Sequence, residues 1–196
     1  MKTIVNHGLI LGMICLVATG LLATVDKATR PRIEAQARLE LENSLKDVLP
    51  EAVSFEPVTA PENNTLLYYK GLDAARALIG VAFTAQGKGY SSMIETMVGM
   101  KPDGTITAIK VLNQNETPGL GSQINEVKTD VTILDVFKGK KPDTARKPWF
   151  TEQFSQKEAT GLEGVQSITG ATISSGAVID SVKQKSRQIK ELLTHG

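Results

Sequence analysis

From Gly8 to Val25 the chain reads G-L-I-L-G-M-I-C-L-V-A-T-G-L-L-A-T-V, eighteen residues without a charge. About twenty apolar residues cross the hydrocarbon core of a bilayer as a helix, and a helix is what satisfies the backbone of a single lipid-exposed segment. The run therefore becomes either a membrane anchor or a leader removed on export. Ala23-Thr24-Val25 is a poor A-x-A cleavage site, and Met13-Ile14 stand where a lipoprotein leader has small residues before its Cys. The expectation is an uncleaved transmembrane anchor over 8–25, preceded by a short N-terminus over 1–7. Cys15, inside the run, reads as one more small apolar side chain. The flanking charges, Lys2 and the amino terminus against Lys27, Arg30 and Arg32, weakly oppose an N-inside orientation.

Beyond the anchor the pattern changes twice. Ile33, Ala37, Leu41, Leu45 and Val48 recur at helical spacing among charged residues, which predicts a helical stalk over 26–50 that Pro50 stops. Glu56 to Asn64, with its prolines and asparagines, reads as a loop. Strands are expected at Leu66–Lys70, Arg76–Gln86, Ile94–Met100 and Thr105–Leu112. The last two flank Lys101-Pro102-Asp103-Gly104, where Pro fixes φ and Gly accepts a positive one, so they form an antiparallel hairpin. Ser122–Phe137 reads as a helix and Gly139–Pro148 as a basic solvated loop. Trp149, Phe150 and Phe154 supply apolar area for a core or a pocket. A final helix runs from about Gly176 to Leu193, with Ile179, Val182, Ser186, Ile189 and Leu193 on one face. The fold class is α+β: an N-terminal transmembrane helix, then a β-rich domain over 51–196 with an antiparallel sheet and flanking helices.

Composition narrows the function. A net charge of +1 and 5% aromatic residues give no case for nucleic acid. One Cys allows no internal disulfide, and one Cys with two His gives no ligand set for zinc or an iron–sulfur cluster, so no metal is expected.

The chemistry gathers near the C-terminus, in Ser167-Ile168-Thr169-Gly170-Ala171-Thr172-Ile173-Ser174-Ser175. A Gly/Ser/Thr turn that opens a helix is a ready phosphate site, because unpaired amides and the positive end of the helix dipole meet there. Ser174 or Ser175 could equally be a simple helix cap. Thr169–Ser175, T-G-A-T-I-S-S, resembles the S/T-G-A-T-x-S/T-S signature of the FMN-binding domain in the RnfG (RsxG) protein of Rnf (Rsx) electron-transport complexes. The same domain occurs in the C-type subunit of the sodium-translocating NADH:quinone reductase. The resemblance implies that Thr172 carries FMN through a phosphodiester to its hydroxyl, installed by a separate flavin transferase. Thr169, Gly170, Ala171, Ser174 and Ser175 would surround the attachment point. Relatives often place an acidic residue shortly before this motif, where this chain has Gln166 and Ser167.

Glu116-Thr117-Pro118-Gly119-Leu120-Gly121 reads as a Pro-Gly turn by composition. It also resembles a second signature of the same family, which implies a loop against the isoalloxazine ring. Gly87-Lys88-Gly89-Tyr90 is a bend between strands or, by the same resemblance, a piece of the pocket that brings in Tyr90. It is not a dinucleotide loop, since Ser92 replaces the third glycine.

The implied function is an electron carrier with one covalent FMN, working with the other membrane subunits of a complex that exchanges electrons between ferredoxin and NAD and moves ions. Its domain would lie on the periplasmic side of the bacterial inner membrane. No residue is assigned a catalytic role, since the cofactor supplies the redox chemistry. The alternative is a cofactor-free, membrane-anchored assembly or scaffold module that uses the Ser/Thr turn only as a cap. A free-standing flavin reductase would need a second substrate pocket, and no residues suggest one.

Overall fold

The computed structural model describes residues 2–60, 64–126 and 148–195. It divides into two compact units, Met1–Asn43 and Ser44–Gly196. The first unit consists of most of one helix, α1 (Lys2–Val48), with Pro31 inside it. Its apolar stretch reaches a mean hydropathy of 2.3 over eighteen residues, and none of that stretch is buried in the protein. Leu11, Leu16 and Leu22 are among the large apolar side chains it exposes. An eighteen-residue apolar surface in water would cost far more than a helix gains by forming, whereas in lipid it is matched to its solvent. The anchor and the amphipathic stretch after it form one continuous helix. It ends at Val48, two residues before Pro50, whose ring disfavours helical backbone in the residue ahead of it.

The second unit is built on a five-stranded antiparallel meander in the order β1-β2-β3-β4-β5. The strands are β1 (Ser54–Thr59), β2 (Leu66–Leu72), β3 (Leu78–Lys88), β4 (Met93–Met100) and β5 (Ile106–Asn113). All four expected strands are present, each with a boundary moved by one or two residues. β1 is a correction, because Glu56 and Pro57 are strand rather than loop. A proline is tolerated there because β1 is the edge of the sheet, with solvent on the side where a donor would be missed. The β4–β5 hairpin turns at Lys101–Gly104 with φ of +94° at Gly104, and the Thr105 amide donates to Asp103 Oδ1 at 2.8 Å.

Both faces of the sheet are covered. Val81, Phe83 and Ala85 on β3 point to one face with Ile94, Val98 and Met100 on β4, and all are buried. Helix α3 (Thr172–His195) lies on that face and contributes Val178, Val182 and Ile189. A short helix α2 (Trp149–Glu152) and the residues after it add Phe150 and Phe154, whose rings meet edge to face with centroids 5.5 Å apart. On the other face, Gly71, Gly80 and Gly99 leave room for Val48, Leu49 and Ala52 to lie against the backbone. The final helix starts one turn earlier than expected, at Thr172 rather than Gly176. The expected helix over Ser122–Phe137 begins instead as a 3-10 turn, Gly121–Asn125, with Glu126 extended after it; residues 127–147, which hold the rest of that segment and most of the basic loop, lie outside the described residues.

Candidate functional site

Three segments far apart in sequence meet at one end of the sheet. The first is the β3–β4 turn, where Gly89 and Tyr90 lead into β4. The second is the loop after β5, Glu116–Gly121. The third is the turn Thr169–Ala171 with the first residues of α3. Tyr90, Glu116, Thr117, Leu120, Gly121, Gly170, Ala171, Thr172, Ile173 and Ser174 line a single cavity of about 310 Å³. That volume lies at the small end of the range for ligand sites, roughly 300–1,000 Å³.

The backbone sets the shape. Gly119 and Gly170 adopt φ of +73° and +80°, the left-handed region that costs a glycine little. Gly121 stands where any side chain would collide, since a Cβ there would lie 2.7 Å from both Glu116 Cβ and Ser174 Oγ. Gly89 has the same role against the Glu116 carboxylate, at 2.6 Å. The Leu120 and Ser122 amides both donate to the Thr117 carbonyl, closing the Pro118-Gly119 turn.

Glu116 is the buried centre of the site. Five donors converge on its carboxylate. Oε2 accepts from the Ser174 hydroxyl at 2.6 Å and the Tyr90 amide at 3.1 Å. Oε1 accepts from the Ser92 amide at 2.8 Å, and from the Ser91 amide and Ser92 hydroxyl at 3.1 Å each. Burial by itself raises the carboxyl's pKa. The hydrogen bonds from Ser174, the Ser92 and Ser91 amides and the Ser92 hydroxyl outweigh it and hold the pKa at about 2. Glu116 is therefore an anion at neutral pH.

At the helix end, the Ser175 amide donates to the Ala171 carbonyl at 2.9 Å, the first turn of α3. The Thr172, Ile173 and Ser174 amides precede that bond, so this end of the helix carries the partial positive charge of unpaired donors. Neither serine is the cap. Ser175 Oγ donates to the Ala171 carbonyl and accepts from the Ile168 amide, and the Ser174 hydroxyl is held by Glu116. Both sit inside the helix and are buried, while Thr172 and Thr169 are exposed.

The structure thus brings Thr172, Gly170, Ala171, Ser174, Glu116, Thr117, Leu120, Gly121 and Tyr90 to one cavity. Pro118, Gly119, Thr169 and Ser175 belong to the same segments without lining it. Tyr90 is 73% exposed, so it stands at the rim rather than within a wall. Three residues had no site role in the sequence reading. Ile173 lines the cavity at 58% exposure, and Ser91 with Ser92 supplies three of the donors to Glu116. Ile173 is the variable position of the T-G-A-T-x-S-S pattern, so no motif marks it. The Ser91-Ser92 pair becomes informative only once a buried carboxylate is found opposite. Among the described residues no cluster of His, Cys, Asp and Glu could hold a metal ion.

Comparison with known proteins agrees with this geometry. Residues 89–185 match the family model of the FMN-binding domain, which spans all three segments of the cavity. Residues 1–48 match the model of the RnfG N-terminal region. The chain is 32% identical to the G-type subunit of the ion-translocating oxidoreductase complex of Methanosarcina acetivorans, over 87% of this chain and 86% of that protein. It is 30% identical to the G-type subunit of the Na(+)-translocating ferredoxin:NAD(+) oxidoreductase complex of Acetobacterium woodii, over 92% and 89%. It is 31% identical to the G-type subunit of the ion-translocating oxidoreductase complex of Escherichia coli O157:H7, over 94% and 90%. Among solved structures, Shewanella oneidensis NqrC is similar, with a TM-score of 0.47 and 20% identity over 74% of this chain and 73% of that one.

Proposed function

The chain belongs to the RnfG family of ion-translocating oxidoreductase complexes, and from that membership we propose that it is a membrane-anchored electron carrier with one FMN joined covalently to Thr172. The observation that carries the reading is the placement of Thr172: an exposed alcohol on the first turn of α3, at the edge of the cavity that lies within the FMN-binding domain.

The residues present fit the group. Phosphate would sit at Thr172, where unpaired amides of the helix end offset its charge. Gly170, with φ of +80°, lets the chain turn tightly beside it. The ring would occupy the cavity, with Leu120, Ile173 and Tyr90 as apolar cover. Bound FMN supplies reversible electron uptake and release, and the protein's part is to hold it in place and tune it. Among the described residues no His or Cys lines the cavity beside Thr172 to activate its hydroxyl, which fits installation by a separate flavin transferase. A covalent tether keeps the cofactor in a domain that faces the periplasm, where lost FMN is not replaced. The electrons pass to and from other membrane subunits of the complex, between ferredoxin and NAD, the couple in the name of the Acetobacterium woodii relative.

The test is to produce the full chain in a host that has a flavin transferase, denature it, and inspect the gel under ultraviolet light. The wild-type band fluoresces, and mass mapping of the Thr169–Lys183 peptide finds FMN on Thr172. Thr172→Val is dark. A dark wild-type band with an unmodified peptide would return the chain to the scaffold alternative.

A further inference from the structure

We propose that Glu116 is a positioning residue for the cavity rather than a ligand inside it, and that its fixed negative charge disfavours reduction of a ring bound there. The inference rests on the FMN reading for its electrical half alone.

Every partner of the Glu116 carboxylate donates: two hydroxyls and three backbone amides. Three of the partners are amides that can only donate, and they engage both oxygens, so the geometry favours the acceptor-only form. With two oxygens engaged this fully, little capacity is left for a ligand. The carboxylate is nevertheless at the cavity wall and only 6% of the residue is exposed. What it joins is specific. Tyr90, Ser91 and Ser92 come from the β3–β4 turn, Ser174 comes from the first turn of α3, and Glu116 itself opens the loop that ends in Leu120 and Gly121. Three wall segments that no ladder hydrogen bond connects at this end are tied at one point. The Asn115 amide donates to Ser92 Oγ at 2.9 Å, a second tie between the same turn and loop.

A buried charge at the wall of a small cavity also acts on whatever gains charge inside it. Adding electrons to a ring in the cavity adds negative charge beside a carboxylate, so the oxidised form is favoured. The helix end at Thr172 acts in the opposite sense, and a phosphate bound there would offset part of that effect.

Two variants separate holding from charge. Glu116→Gln keeps the reach and removes the charge. Glu116→Asp keeps the charge and shortens the reach by one methylene. In full-length chain made without a flavin transferase, hydrogen exchange at the Tyr90, Ser91 and Ser92 amides is expected to be at least tenfold faster in both variants than in the wild type. In flavin-loaded chain held at a fixed ambient potential, the reduced-to-oxidised ratio is expected to rise about tenfold in Glu116→Gln and less than threefold in Glu116→Asp. Unchanged exchange in Glu116→Gln overturns the positioning role, whether or not flavin is present. Equal ratios in Glu116→Gln and the wild type, or equal shifts in the two variants, overturn the charge effect. A wild-type chain that never acquires flavin defeats the FMN reading and the charge effect with it, while the exchange result still decides the positioning role.

Discussion

The Ser174 hydroxyl donates to Oε2 of Glu116 across 2.6 Å, although the two residues are fifty-eight positions apart. The bond joins the motif that precedes the 3-10 turn to the motif that opens α3, so the two signatures are one physical unit. Its strength depends on the charge of the carboxylate. The folded pKa, about 2, lies below the usual 4.5, so the unfolded chain binds more protons in that window and stability rises with pH across it. The contribution is complete above pH 4.5 and is lost as pH falls from 4.5 toward 2. We expect the wild-type domain to lose on the order of 2 kcal/mol between about pH 5 and about pH 2.5 from this group. Glu116→Gln is expected to be less stable at neutral pH and to lack that part of the acid loss. Urea unfolding in detergent at a series of pH values measures both, and parallel curves for the two proteins would refute the assignment.

Gly121→Ala tests the close approach at the same site. A new Cβ would meet Glu116 Cβ and Ser174 Oγ at 2.7 Å. Neither neighbour is free to swing away, since five donors hold one and the other is among those donors. Overpacking of this kind costs about 1–3 kcal/mol. The same change at Gly176, where no atom lies within 4 Å, is expected to be neutral or slightly stabilising, because alanine is the better helix former. A chemical-denaturation midpoint for each variant decides the comparison.

Phe154 tests the core beneath the site. Its ring is fully buried and meets Phe150 edge to face. Phe154→Ala removes a large apolar volume from the core, at a cost of about 3–5 kcal/mol. A domain's whole stability is about 5–15 kcal/mol, so the variant is expected to melt well below the wild type by circular dichroism and to be more sensitive to protease. A variant with a melting temperature within a few degrees of the wild type would show that the core is organised elsewhere.

Much of this was readable from local chemistry. The Lys101-Pro102-Asp103-Gly104 turn set the β4–β5 hairpin, because Pro and Gly restrict the backbone without reference to anything distant. The apolar run of α1 and the periodic face of α3 were equally local. Where tertiary context decides, local chemistry misleads. Glu56 and Pro57 look like loop residues and are strand only because β1 is an edge strand paired to β2. The Ser174 and Ser175 hydroxyls look like caps, but a carboxylate from another loop and the Ile168 amide claim them. Most of the residues that line the cavity stand in the two motifs, Ile173 and the Ser91-Ser92 pair apart. Their mutual arrangement was not legible there, because a buried Glu with five donors leaves no pattern in the sequence beyond the Glu itself.

Orientation in the membrane brings two physical expectations into conflict. The amino terminus and Lys2 lie ahead of the apolar run, while Lys27, Arg30 and Arg32 follow it closely. Counted within about fifteen to twenty residues of the span, that bias favours keeping the domain side in the cytoplasm. The proposed electron carrier needs the opposite, and long domains translocate largely regardless of such charges. Asp26 also pairs with Arg30 at 3.5 Å, one helical turn away, though an exposed pair of that kind is worth little. We expect the domain to lie outside. Cys15 is the chain's one cysteine, so a Cys15→Ser background allows single-site labelling. In that background Ala74→Cys, on the exposed β2–β3 turn, is expected to react with a membrane-impermeant maleimide in cells with a permeabilised outer envelope and an intact inner membrane. His7→Cys is expected to react only after lysis. The reverse pattern would place the domain in the cytoplasm and remove the reason given for a covalent tether.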